Sequence, residues 1–387
     1  MTSEERKEGR YQRRCAGREA KRRARSEACG SFEQVFSYEN LYKAGLACCK
    51  GVRWKCSTQR YLASLSENTA RTRKALMDGT WKTMGFHEFD IMERGKLRHI
   101  RSVHISERVV QRCLCDNALV PLFSSAFIYD NAASLKGKGI DFAMDRMNRH
   151  LQRHYRKHGM PGGILVFDFT DYFNSAPQEP IHRENRRRLY DERVRERAES
   201  FMADFGLGSQ VSQIDALMLA NGLDHFIKEQ LHIRGDGRYM DDGYLICEDV
   251  RYLEECAARI RQYCAGIGLQ LSEKKTRILP IRQGVRFLKT KFKLTQTGGV
   301  IRKVQRKSTR KMRQKLRKFR RGGDDGRMTE EDVRTSYESW KGHMRRGNSW
   351  KVLRKTDKLY RKLFGGKEII NVRNSEGRGR DCTDGSP

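Results

Sequence analysis

Three carboxylates mark where this chain could do chemistry. In RYMDDGYLIC, residues 238–247, Asp241 and Asp242 stand side by side between apolar runs, with Arg238 the one obvious counter-charge. In GILVFDF, residues 163–169, Asp168 closes a short continuous apolar run. Such a run reads as a strand buried on both faces, and the first string reads as a β-hairpin with acids at its neck. Adjacent buried carboxylates repel, and each is costly to desolvate, so something positive must compensate them. If the hairpin sets Asp241 beside the end of the 163–169 strand, three carboxylates face one small volume. An all-oxygen set suits Mg²⁺, which keeps waters and substrate phosphates among its ligands. Two such ions about 3.5–4 Å apart serve phosphoryl transfer, activating an attacking 3′-hydroxyl and stabilising a leaving pyrophosphate. Turn chemistry is the alternative: Asp-Asp-Gly is common in turns, and Asp168 could cap a helix after its strand. The two strings together, in a strongly basic chain, favour the metal seat.

The elements that must position these acids can be read along the chain. Residues 31–85 carry aromatics at helical spacing, and 86–104 alternate in two runs around Glu93-Arg94-Gly95-Lys96, a hairpin with a basic turn. Residues 106–128 keep an i, i+4 apolar rhythm before Pro121 and beyond. After the 163–169 strand come a charged helical stretch at 178–205 and a long apolar helix at 210–231. The acidic hairpin, a helix at 249–266 and short strands at 276–280 and 285–294 follow. From 302 to 321 a dense Lys/Arg series carries Val304, Met312, Leu316 and Phe319 on one side. Thr329 and Asp332 form a capping box with Met328 and Val333 as its staple, and a last helix runs from 349 to 364. Helices around a central sheet make the fold class α+β.

Length and charge bound the partners. The 387 residues allow two or three domains. The excess of 80 Lys+Arg over 48 Asp+Glu, a net +32, points to a polyanion, with nucleic acid ahead of an anionic membrane. The sequence shows no long apolar segment, and MTSEERKEGR has no apolar signal region, so the expected location is cytoplasmic, with no membrane partner. The 11 cysteines read as free thiols there, since Cys48, Cys49, Cys56, Cys113 and Cys115 lack the paired spacing of a zinc site. Residues 1–30, Arg-rich and nearly without large apolar residues, are expected to form a flexible basic tail, with a solvated helix that serves nucleic acid as the other reading, and residues 367–387 a disordered tail.

Here a resemblance enters. Tyr239-Met240-Asp241-Asp242 resembles the catalytic box of reverse transcriptases, and FDFTDYFNSAP, 167–177, resembles their first catalytic motif. GKLRHI at 95–100, SLKGKG at 134–139, LGSQVSQ at 207–213, LSEKKTRI at 271–278 and VRFLKTKF at 285–292 are similar to further motifs in the family's order. An ordered set over roughly residues 90–295 is more specific than any one motif. It implies a right-hand polymerase fold: fingers and palm over 31–295, the palm an antiparallel sheet flanked by helices, and a helical thumb over 296–366.

The roles follow from the resemblance. Asp168 and Asp241 would be the main ligands of two Mg²⁺ ions, for which Mn²⁺ could substitute. The Phe169 carbonyl would assist, and Asp242 would ligate more weakly or shape the charge. Lys275 would protonate pyrophosphate, with Lys274 its rival. Arg98, helped by Lys96 or Arg94, would grip the dNTP triphosphate. Phe173 would exclude a ribose 2′-hydroxyl. Gly208 would let backbone approach the template base, and Ser209, Gln210, Ser212 and Gln213 would line the nascent pair. Lys136, Lys138, Lys303, Arg306, Lys307, Arg310, Lys311 and Arg313 would meet phosphates of the template RNA and the RNA/DNA hybrid.

The L-G-x-x-x-S-Q pattern at 207–213 looks like that of diversity-generating retroelement reverse transcriptases. That implies cDNA synthesis from a retroelement template RNA, error-prone at adenines, with a small basic accessory protein as a partner. A phage-defence-associated (antiviral) reverse transcriptase and a non-catalytic RNA-binding scaffold on the same fold are the other readings.

Overall fold

The computed structural model describes residues 2–93, 96–173, 175–202, 209–324 and 329–365. The chain opens with five helices: α1 (Ser3–Cys29), α2 (Phe32–Val35), α3 (Tyr38–Cys49), α4 (Cys56–Ala63) and α5 (Leu65–Met77). The expected flexible tail is therefore helical. Thr2 and Glu5 form a capping box that ties down its first amides. At the far end Ser26 is buried and accepts from the Tyr190 amide.

A hairpin follows, β1 (Phe86–Glu93) with β2 (Lys96–Val103), paired from Phe86↔Val103 to Glu93↔Lys96. Helix α6 (Ile105–Leu114) runs through a π-helical turn at Cys115–Leu119 into α7 (Val120–Ser124), with Pro121 tolerated in its first turn. These helices share an apolar core with α2–α5. Cys49, Cys113 and Cys115 lie in that core with Cys48 packed against it. Burial pushes the Cys48 thiol up to about 11 and Cys113 up to about 12, the opposite of what a thiolate metal ligand requires.

The centre of the fold is built from α8 (Ile140–His158), β3 (Gly163–Asp168), α9 (Gln178–Arg188), α10 (Glu192–Ser200), α11 (Gln210–Leu219), α12 (Asn221–Glu229), β4 (Gly235–Tyr239), β5 (Asp242–Cys247), α13 (Val250–Gly266) and β6 (Arg277–Pro280). The strands form one antiparallel sheet in the order β4-β5-β3-β6. Both faces of β3 are covered, which explains its uninterrupted apolar sequence. Leu165 and Phe167 face a core shared with α11–α13, and Ile164 faces another shared with α8. The apolar stretch at 210–231 divides into two helices at Ala220. The charged stretch at 178–205 divides at Leu189, where Asp191 caps the second helix.

A second, smaller sheet joins β7 (Val285–Phe287), β8 (Thr290–Leu294) and β9 (Val300–Val304). Strand β9 was not foreseen. Lys303, expected on a helix, instead pairs across this sheet with Lys291. Three helices end the described chain: α14 (Arg306–Asp324), α15 (Glu330–Arg345) and α16 (Trp350–Phe364). Met312, Leu316 and Phe319 pack against Val333, Tyr337, Trp340 and Met344, with Val304 at the margin. The Thr329–Asp332 capping box is present. Its expected staple partner Met328 and the expected disordered end, 367–387, lie outside the described residues.

Candidate active site

The register of the central sheet decides where the acids meet. Asp168, the last residue of β3, pairs directly with Asp242, the first of β5. Asp242 is in turn the partner of Tyr239 at the end of β4. Met240 and Asp241 are thus the two loop residues of a tight hairpin, and they project beyond the same sheet edge that Asp168 ends. Met240 adopts φ 55°, the left-handed conformation that a two-residue hairpin asks of its first loop residue and that a long side chain resists. Next along β5, Gly243 faces Phe167 across the ladder. A Cβ on Gly243 would meet the Phe167 ring at 2.1 Å, so only glycine permits this close strand approach.

The charges behave as crowded acids should. Asp168 is buried and Asp241 and Asp242 are half-buried. Burial, then the charge of Asp241, then a hydrogen bond with the Asp168 carboxyl push Asp242 up to about 7. Burial, with repulsion from Asp168 also contributing, raises Asp241 too. Lys275 answers them: its Nζ lies 2.6 Å from Asp168 Oδ1, while Lys274, the rival, is exposed. A loop–strand clasp delivers Lys275 there. The Ser272 amide donates to the Asp168 carbonyl at 2.7 Å, the Thr170 amide donates to the Gln270 carbonyl at 2.8 Å, and Phe169 pairs with Leu271.

The donor set is oxygen only, and the ionised forms of Asp241 and Asp242 are disfavoured by their neighbours, so the site fits a hard divalent cation. Among the described residues no group of three or more His, Cys, Asp or Glu side chains is arranged as it stands to hold a metal ion. Lys275 is the cation in contact with the acids.

Arg238 has a role that the sequence did not disclose. Its side chain is fully buried and forks onto Asp224, Nε to Oδ1 and Nη2 to Oδ2, both at 2.7 Å. Its Nη1 donates to the Met240 carbonyl at 2.9 Å and its Nη2 to the Leu217 carbonyl at 3.3 Å. The guanidinium therefore grips the backbone of the acidic turn from behind and anchors it to α11 and α12. A charged residue inside a strand was the signal available in the sequence.

A cleft of about 970 Å³ opens beside the acids, between the central sheet and the helical bundle, with Tyr239 and Asp242 in its wall. Leu288 and Lys289, the loop of the β7–β8 hairpin, line it as well, at φ 46° and 64°. Two side-chain-bearing residues in the left-handed region store strain of about 1–3 kcal/mol each, which is how loops at working sites are commonly held. Lys307, Lys311 and Lys315 line the opposite wall.

The remaining expected residues are dispersed. Phe173 is half-buried against the core that holds Phe167 and Phe169, edge-on to Tyr172, whose own ring stacks on Phe169. Gln210 and Gln213 line a cavity of about 850 Å³ with Arg108, Arg112, Ser134 and Lys136. Ser209 caps α11 through the Ser212 amide, and Ser212 is buried, so neither presents a side chain to a base pair. Lys138 turns inward, donating to the carbonyls of Tyr129 and Asn131 at 2.8 Å, which removes it from phosphate contact. Arg306, Arg310 and Arg313 lie on a different face of α14 from Lys307 and Lys311, and open into a groove of their own. Arg94 and Gly208 lie outside the described residues, as do the side chains of Lys96 and Arg98.

No family model matches this sequence, and no curated protein matches it. Among solved structures, telomerase from Candida albicans in complex with a TWJ fragment of telomeric RNA aligns with TM-score 0.43 and 11% identity, covering 67% of this chain and 55% of that one. Apo telomerase from Candida tropicalis, truncated from the C-terminal domain, aligns with TM-score 0.44 and 12% identity, covering 61% and 60%. The chain thus spans between 55% and 60% of the length of those telomerases. Likeness at this level fixes neither fold nor activity.

Among the described residues no helix is long and apolar enough to cross a membrane.

Proposed function

We propose that this protein is an RNA-directed DNA polymerase whose palm is the four-stranded sheet, whose fingers are the helices and hairpin before it, and whose thumb is α14–α16. One observation carries the reading: the pairing of Asp168 with Asp242, which gathers three carboxylates at the mouth of a lysine-lined cleft. Asp168, Asp241 and the Phe169 carbonyl are the groups to hold Mg²⁺, with Asp242 tuning their charge. When bound, the metal ions supply activation of the primer hydroxyl and neutralisation of the triphosphate. The chain's own residues do the rest. Arg238 fixes the turn, Lys275 brings an ammonium to the acids and gives its proton to the leaving pyrophosphate, and Lys307, Lys311 and Lys315 hold the hybrid's phosphates.

Purified protein with a DNA primer annealed to an RNA template, dNTPs and Mg²⁺ is expected to extend the primer. Tight hybrid binding without extension would replace this reading with that of a non-catalytic scaffold. Cofactor identity has its own check: chelation should stop extension, and Mg²⁺ or Mn²⁺ should restore it.

Within this reading the template is a retroelement RNA and the copying is error-prone at adenines. The 207–213 string supports this, and sequencing the products should show errors concentrated opposite template adenine. Phe173, five residues after Asp168, supports DNA as the product, because a bulky ring there would meet a ribose 2′-hydroxyl. Phe173→Ala is expected to relax discrimination against ribonucleotides by about tenfold or more, the scale of a steric contact in a pocket. Unchanged sugar selectivity would remove Phe173 from that role.

A further inference from the structure

Helix α14 carries two basic stripes of different composition. Successive residues on a helix point about 100° apart, so positions 307, 311 and 315 share one face and 306, 310, 313 and 317 the next. The first stripe is all lysine and lines the cleft beside Asp242. The second is all arginine and opens into a separate groove of about 660 Å³ formed with α16, which adds Lys351 and Lys355. Among the described residues no carboxylate lines this groove. Its floor is built: Arg313 is half-buried and donates to Thr356 Oγ1 at 3.4 Å, and Thr356 is fully buried and donates to the Val352 carbonyl at 2.9 Å. Arg306, Arg310, Arg317, Lys351 and Lys355 are exposed around it.

We propose that this groove is a second nucleic-acid site, holding the phosphate backbone of a base-paired RNA apart from the hybrid in the cleft. Chemistry selects the ligand. The arginine stripe spans 11 residue steps, about 16 Å at 1.5 Å each. A B-form duplex of that length carries about ten phosphate charges and an A-form RNA duplex more, so all six of the groove's cations can find a phosphate. Among the described residues no aromatic ring lines the groove, so they offer no platform on which unpaired bases could stack. Val352 is the one apolar residue among the described residues that line it, too little to insert into a lipid surface. The difference between the stripes also has a physical sense. A guanidinium fork makes oriented, bidentate phosphate contacts suited to a ligand that stays in place. An ammonium is a hydrated point charge that a translocating duplex can pass from phosphate to phosphate.

The inference does not depend on polymerisation, and its test separates the two. The variant Arg317→Gln/Lys351→Gln/Lys355→Gln alters exposed groove residues only. Its affinity is measured against a long RNA hairpin, the same hairpin as DNA, a short RNA/DNA hybrid and phosphatidylserine vesicles. Expected are a loss of about tenfold or more for the RNA hairpin and a salt slope shallower by about 3, with short-hybrid affinity changed less than twofold. Equal losses on hairpin and hybrid would show both stripes gripping one duplex and overturn the proposal. Loss confined to the vesicles, equal loss on the DNA hairpin, or no loss on the RNA hairpin would overturn it as well. Hairpin loss in a protein that never extends primers would leave the groove standing and the polymerase reading fallen.

Discussion

Asp241→Asn is expected to lower single-turnover primer extension by about 10³-fold or more, the scale of losing a group that stabilises developing charge. Asp168→Asn should behave alike, and Asp242→Asn should be milder. Affinity for the hybrid should move less than twofold, because the phosphate contacts proposed for the cleft are the lysines of α14 that line it. Stability supplies an independent mark. The three acids repel across the ends of β3 and β5, with Asp242 pushed up to about 7 by burial and by its neighbours. Removing the charge of Asp241 or Asp242 relieves that repulsion, so neither of those substitutions should lower the melting temperature, whereas Asp168→Asn also gives up the ion pair with Lys275. Activity lost with stability kept is the behaviour of groups retained for chemistry at the expense of the fold. Wild-type extension by either Asp168→Asn or Asp241→Asn would end the metal assignment.

The second large effect concerns Arg238. Arg238→Met leaves the Asp224 carboxylate buried without its partner, a loss of about 3–5 kcal/mol for a pair of this kind. The single variant will therefore be hard to fold, and the informative protein is Arg238→Met/Asp224→Leu, in which both charges are gone. Its stability should largely return, since an apolar pair can replace a buried ion pair at little cost. Its extension rate should not return, because the Met240 carbonyl has lost its donor and the turn its hold. The expected signature is a fall in kcat of about tenfold or more with KM for dNTP nearly unchanged, as when a group acts only on the transition-state geometry. A double variant that extends at the native rate would reduce the fork to a packing element.

Much of the site was legible because its signals are local. A continuous apolar run can be satisfied in few ways, so residues 163–168 announced a buried strand, and Asp-Asp-Gly between strand-like runs announced the hairpin. The capping box at Thr329 was readable for the same reason, since its partners are three residues apart. What escaped was orientation. Periodicity separates the faces of α14 without saying which one meets the cleft, so lysines and arginines were assigned to one duplex. Lys138 and Arg238 look like surface cations in a string of letters; one is spent on two carbonyls and the other on Asp224, partners that only tertiary structure supplies. Helix α1 ranks only as the second reading of residues 1–30 because its stability rests on a cap and a docked end rather than on an apolar face. Strand β9, flanked by basic residues, hid in the charge of the helix after it.

The absent Cβ of Gly243 has a reach beyond its own position. The Phe167 ring fills the space where that carbon would stand, and the pair lies one rung from Asp168 and Asp242. Hydrogen, the smallest substituent available, thus sets the spacing between the two strands that present the acids, like the gauge of a pair of rails. Any retuning of this chemistry must come from the turn ahead of the rung or from the loop that carries Lys275, because the rung itself has no slack to give.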